Sequence, residues 1–269
     1  MRTLIIAALV ASMQPTPASA APLPEGSADH YAGSEIARHE GDGQEARLTR
    51  TGEEPPLEGK VPGMDVSSHQ GDVDWKKSWD DGARFAYVKA TEGVKYKNPK
   101  FAQQYNGSYG VGMIRGAYHF ALPDRSNGVD QANFFVDNGG GWSNDGKTLP
   151  PALDMEYNPY GETCYGMNQD VMTTWVQEFS DRVFARTKRH PTIYTSTSWW
   201  NKCVGGKVKF GENNPLWVAR YGDTLESPGT LPAGFEFHTI WQWRAAGKFP
   251  GDQNIFNGKP DQLLRIATG

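Results

Sequence analysis

The chain has 269 residues, a formal net charge of −4 and a sequence pI near 5.9. That balance argues against a general nucleic-acid binder, and six scattered histidines without an H-E-x-x-H or C-x-x-C pattern argue against a zinc hydrolase. The length permits one large domain or two small ones.

The first 20 residues have the layout of an export signal. Arg2 supplies the positive start, Leu4 to Val10 the apolar run, and Ala18-Ser19-Ala20 a small-residue cleavage site. The apolar run is too short to span a bilayer, and no other stretch approaches that length, so the mature protein is expected to be soluble, secreted and free of membrane. Export permits disulfides. The only cysteines are Cys164 and Cys203, which gives one possible bridge, closing a loop of about 40 residues; two free buried thiols are the alternative.

Residues 21–59 are rich in Pro, Gly, Glu and Asp and lack Trp and Phe. Such a segment buries too little apolar surface to offset its ordering entropy. It reads as a disordered linker or pro-segment, with local helix at most around Ser34 to Leu48. The barrel-forming part is expected over 60–269.

From Val61 the texture changes. Pro62 to Ser67 reads as a short buried strand ending in an acid, Asp65. Asp74 caps a short helix, Phe85 to Ala90 is a second strand, and Asn98 to Tyr109 is helical, with Phe101 and Tyr105 at i, i+4 spacing. Val111 to Phe120 is a third strand and Ser126 to Asn138 a helix, ended by a Gly-rich turn. Asn168 to Arg189 is the strongest helix, its apolar stripe running Val171, Trp175, Phe179 and Val183. Further strands are read at 192–195, 216–221, 235–243 and 252–256. The first five strands alternate with helices and the last three do not. The pattern predicts an α/β chain with a parallel sheet, a flattened TIM-like barrel of about eight strands and about five helices, (β/α)5(β)3.

The fourth strand carries the chemistry. Pro150-Pro151-Ala152-Leu153 leads into Asp154-Met155-Glu156. Alternation along a strand puts Asp154 and Glu156 on one side, with α-carbons roughly 6–7 Å apart. Paired carboxylates repel, so at least one is expected to hold its proton at higher pH. That combination suits glycoside hydrolysis, which needs an acid for the leaving oxygen and an anion for developing positive charge. A solvated strand end and a calcium ligand pair are the plain alternatives.

Polar groups fall at the C-terminal ends of the other strands too: Asp65, Lys89 with Glu92, Tyr118 with His119, Tyr194, Arg220 with Tyr221, and Gln242 with Trp243. In α/β barrels the site forms at those ends. Tyr118, Tyr221, Trp241 and Trp243 offer flat apolar faces to a sugar, and Gln70, Gln242 and Asn254 offer amides to its hydroxyl or acetamido groups. Strand alternation lets either the two tryptophans or Gln242 point into the site, not both.

At these residues the sequence resembles the family 25 glycoside hydrolases, the Ch-type lysozymes or N-acetylmuramidases. The resemblance runs from about Val61 to the C-terminus. It is carried by Asp65-Val66-Ser67-Ser68-His69-Gln70-Gly71, Tyr87-Val88-Lys89-Ala90-Thr91-Glu92-Gly93, Gly116-Ala117-Tyr118-His119-Phe120, Leu153-Asp154-Met155-Glu156 and Trp241-Gln242-Trp243. The resemblance implies cleavage of the β-1,4 bond between N-acetylmuramic acid and N-acetylglucosamine in peptidoglycan. No cofactor is expected, and the default state is a monomer. It implies Glu156 as general acid and Asp154 as the carboxylate stabilising an intermediate formed with the substrate's own acetamido group. Asp65 is then a supporting catalytic acid, and Asp252 a fourth acid on a looser motif. Gln70, Lys89, Glu92, Tyr118, Tyr194, Tyr221, Gln242 and Asp252 are the expected substrate-binding set. A chitinase-like glycosidase and a non-catalytic glycan-binding barrel are the alternatives.

Overall fold

The computed structural model describes residues 29–41, 57–222 and 225–269. The expected export signal at 1–20, and most of 21–59, lie outside these residues.

Eight strands close into a barrel. In chain order they are β1 (Val61–Val66), β2 (Phe85–Glu92), β4 (Ile114–Phe120), β5 (Ala152–Asp154), β6 (Thr192–Ser196), β7 (Leu216–Ala219), β8 (Ile240–Arg244) and β9 (Asp252–Phe256). A two-residue strand, β3 (Tyr96–Lys97), folds back on the end of β2. From β1 through β8 neighbouring strands run parallel. β9 is antiparallel to both β8 and β1, and it seals the barrel between them. Helices α2 (Trp75–Asp80), α3 (Phe101–Gly110), α4 (Gly128–Asp137), α5 (Gln169–Thr187) and α6 (Thr197–Cys203) follow β1, β2/β3, β4, β5 and β6 in turn. The last three strands have no α-helix between them, which is the (β/α)5(β)3 order. Two more helices lie outside that unit, α1 (Ser34–Glu40) and α7 (Pro260–Thr268).

Strand alternation sorts the core into two shells. The inward shell holds Val61, Phe85, Tyr87, Tyr118, Ala152, Tyr194, Trp217, Ala219, Ile240 and Phe256. Trp217 is its centre: it stacks on Tyr87 with centroids 4.8 Å apart and meets Tyr194 edge-on at 4.6 Å. Gly63 leaves room for this filling, because a Cβ there would collide with the Phe85 ring. The outward shell packs the sheet against the helices. Phe135 of α4 and Phe179 of α5 meet at 6.2 Å, and His119 stacks on Phe179 at 5.3 Å.

Several elements differ in detail from the sequence reading. In α5 the buried stripe is Met172, Trp175, Val176, Phe179 and Val183, so the expected face is buried except at its first position, where Val171 stays half exposed at 50%. Asn168 caps it through Val171 N at 3.0 Å, and Asp74 caps α2 through Lys77 N at 2.9 Å. The seventh expected strand begins at Ile240 rather than 235. α7, absent from the sequence reading, brings Leu263 into contact with the inward shell beside Val61.

The single disulfide forms as expected. Cys164, in the loop after β5, joins Cys203 at the end of α6, with a Cα–Cα distance of 5.3 Å and a separation of 39 residues.

Candidate active site

The site is the top layer of the inward shell. The same alternation that buries Phe85 and Tyr87 along β2 delivers Lys89 to the strand's C-terminal end. Likewise β1 delivers Asp65, β4 Tyr118, β5 Asp154, β6 Tyr194 and β8 Gln242, while the antiparallel β9 brings Asp252 and Asn254 to the same layer from its N-terminal end. All of these side chains are buried.

Asp65 accepts hydrogen bonds from Asn254 Nδ2 at 2.7 Å and Gln242 Nε2 at 3.0 Å. Trp217 Nε1 donates to Asn254 Oδ1 at 2.8 Å, so the central tryptophan fixes the amide that holds the acid. Burial nevertheless pushes Asp65 up to about 7, against those two bonds. Asp252 sits opposite Asp65 in the β1–β9 register. Gln242 Oε1 accepts from Tyr194 at 2.7 Å and Tyr221 at 2.9 Å, so one amide ties two tyrosines to an acid. The indoles of Trp241 and Trp243 belong to the outward core; the choice left open by alternation falls to Gln242.

The carboxyl pair straddles the end of its strand, with both side chains buried in the barrel mouth. β5 ends at Asp154, and Glu156 lies just beyond it in the loop. The ladder runs one residue further, as Met155 N donates to Tyr194 O at 2.9 Å. Both Asp154 oxygens are buried without a hydrogen-bond partner among the described residues. Burial, and then the charge of Glu156, push Asp154 well above the usual carboxylate range. Burial also pushes Glu156 up, to about 8, although three backbone N–H bonds oppose it. Two carboxyls this dry do not both ionise at neutral pH, so the pair retains a proton.

Those three N–H groups come from residues 29–41, read in sequence as linker or pro-segment with local helix at most. Here the segment is built into the barrel mouth. Gly33 N donates to Glu156 Oε1 at 2.8 Å, and Glu35 N and Ile36 N donate to Oε2 at 2.9 and 2.8 Å. Ala32 N donates to Tyr118 Oη at 3.2 Å, and Gln242 Nε2 donates to Ala32 O at 3.0 Å. At one end Asp29 Oδ1 lies 2.6 Å from Lys89 Nζ, and Asp29 Oδ2 accepts from the Ser68 hydroxyl. Lys89, fully buried, bridges to Glu92 at 2.6 Å. Glu92 accepts from His30 N at 3.1 Å and from Tyr160 at 3.2 Å. Burial alone would raise Glu92, but Lys89 and His30 hold it below its ordinary value. At the other end Glu40 accepts from Tyr157 at 2.9 Å and from Ser196.

Of the expected binding residues, Gln70 stays out of this cluster; His119, noted in the sequence beside Tyr118 but not among that set, also turns away. Gln70 uses its amide oxygen to cap its own turn, accepting from Ser67 N at 2.8 Å. His119 faces the helices, where it bonds Thr91 and Gln131, and burial pushes it down to about 4. The sequence reading missed Ser196, the last residue of β6, Tyr157 and Tyr160, which lie beyond the end of β5, and every contact of residues 29–41. Asn254 was legible only as a sugar amide, not as the group that holds Asp65.

Three comparisons bear on this barrel. The family model described as "Glycosyl hydrolases family 25" matches residues 64–252. The chain is 42% identical to Lysozyme M1 of Streptomyces globisporus, over 98% of this chain and 92% of that protein. It is 45% identical to an N,O-diacetylmuramidase of Chalaropsis sp., over 78% of this chain and 100% of the relative. Among solved structures, a family GH25 lysozyme from Aspergillus fumigatus superposes with a TM-score of 0.76 at 45% identity, covering 78% of this chain and 100% of that one. The chain belongs to glycosyl hydrolase family 25.

Proposed function

We propose that the protein is a secreted muramidase that hydrolyses the β-1,4 bond between N-acetylmuramic acid and N-acetylglucosamine in bacterial peptidoglycan. The observation that carries the reading is the burial of Asp65, Asp154 and Glu156 together at the C-terminal end of a barrel in a family of glycoside hydrolases. The names of the relatives, a lysozyme and an N,O-diacetylmuramidase, supply the substrate class.

Glu156 gives its proton to the glycosidic oxygen as the bond to the anomeric carbon breaks. The carbonyl oxygen of the 2-acetamido group attacks that carbon, forming an oxazolinium ring. Asp154 accepts the acetamido N–H and offsets the positive charge that develops there. A water then adds to the anomeric carbon, its proton returns to Glu156, and the ring opens. Asp65, held by Asn254 and Gln242, sets the charge beside Asp154. The amides and tyrosines around it match the hydroxyl and acetamido groups of the sugar, and the protein acts as a monomer outside the cell.

General acid–base catalysis contributes about 10²–10⁴-fold. Glu156→Gln preserves shape but cannot donate that proton, so release of reducing ends should fall by at least about 100-fold. Because residues 29–41 contact Glu156, the comparison is made with and without Gly33→Leu, whose side chain would collide with Tyr221 and is expected to open the cleft. A loss below about tenfold in the open background would refute Glu156 as the acid.

A further inference from the structure

Residues 29–41 make the contacts a substrate would make. They occupy both oxygens of Glu156, the hydroxyls of Tyr118 and Tyr221, the amide of Gln242, the ammonium of Lys89 and the hydroxyl of Ser196. We propose that this segment is a built-in stopper that lies in the glycan cleft of its own chain and shuts it until the segment is displaced. The inference rests on the reading of the cleft as the glycan site.

The fit is specific. Ala32 and Ile36 are 0% and 1% exposed and join the inward shell of the barrel. Gly33 has φ 95°, and a Cβ there would collide with Tyr221 Oη and stand 2.8 Å from Tyr194 Oη and Gln242 Oε1. The closest approach of backbone to catalytic floor thus falls on the one residue type that fits it. From Asp29 at Lys89 of β2 to Glu40 at Ser196 of β6 the segment runs across the mouth and contacts Glu156 on the way. Glu156 Oε1 accepts one N–H from it and Oε2 accepts two, so the segment's backbone stands where a glycosidic oxygen would approach this carboxyl. His39 covers Tyr157, stacked at 4.3 Å.

Covalent linkage strengthens the block. A tethered peptide meets its site at an effective concentration of about millimolar, which a glycan strand must overcome. The segment is joined to β1 only through residues 42–60, so hydrolysis of one peptide bond there, consuming one water, turns the stopper into a dissociable peptide. The barrel strands, their helices and the disulfide all lie after that junction.

The test uses the full chain in three forms: unaltered, Gly33→Leu, and Ile36→Asp as an independent disruption. Both substitutions lie in the stopper and touch no barrel residue's identity. Two quantities are read: reducing ends released from purified peptidoglycan, and hydrogen exchange of the Gly33, Glu35 and Ile36 amides. The expected result is protected amides and little release from the unaltered chain. Both variants should lose the protection and release ends at least about tenfold faster, as expected when the open form rises from a tenth or less to nearly all. Freely exchanging amides in the unaltered chain, or release as fast as from both variants, would overturn the stopper. Protected amides that the variants lose, with no release from any form, would leave the shut cleft standing and overturn the muramidase reading instead.

Discussion

Asp65→Asn should make the protein more stable at alkaline pH and barely change it in acid. In the fold burial pushes this carboxyl up to about 7 from 3.8. A carboxyl raised in the folded state binds more protons folded than unfolded. Its stabilising contribution is therefore complete below the unfolded value and lost as pH rises through the folded one. The difference of about 3 units corresponds to about 4 kcal/mol once the pH exceeds both values. Asparagine escapes that penalty, and its amide oxygen can still accept from Gln242 and Asn254. The gain should be about 0.5 kcal/mol near pH 4 and about 4 kcal/mol near pH 8. Urea unfolding of the full chain and the variant at both pH values measures it. A gain that stays within about 1 kcal/mol between the two would refute the claim that an uncompensated charge is buried at Asp65. The same substitution should reduce hydrolysis, so stability and activity move in opposite directions.

Replacing Cys164 and Cys203 together by Ala opens a loop that spans 39 residues of separation. The loop-entropy model gives a loss of about 4 kcal/mol, which is roughly 8–16 °C in Tm for a domain of this size; calorimetry showing under about 3 °C would contradict it. Phe179→Ala removes a fully buried ring between His119, Phe135 and Trp175 and should cost about 3–5 kcal/mol by denaturant unfolding, with little change in catalysis by the folded fraction. Acetamido participation predicts that the first-formed anomer keeps the substrate's configuration. Proton NMR during the first turnovers of the Gly33→Leu chain reads this directly, and an inverted first product would exclude that route.

Much of the barrel was legible because its inward and outward shells repeat with the strand period. Apolar runs located the eight strands, and polar residues closing several of those runs are the ones buried together at the barrel mouth. Lys89, Tyr118, Tyr194 and Gln242 were found this way. Local deviations were not legible. β5 stops at Asp154, so the simple alternation argument does not reach Glu156, which is placed by the loop beyond. Trp241 and Trp243 could be excluded from the cleft only by knowing which face of β8 is inward. Gln70 looked like a ligand group because its role, a bond to Ser67 N, depends on a three-residue turn.

The largest gap concerns residues 29–41. Their composition predicted disorder, and a seven-residue helix is not stable alone. What orders them is tertiary: Glu156, Gln242 and Tyr118, each at least 86 positions away along the chain. No local pattern carries that information.

The central claim is the bond that is cut. Peptidoglycan is digested with the Gly33→Leu chain and, in parallel, with the chain carrying Gly33→Leu and Glu156→Gln. The products are reduced with borohydride and read by mass spectrometry. The account predicts reduced muramic acid ends in the first digest and none above background in the second. Reduced glucosamine ends, or no new ends from either, would contradict it.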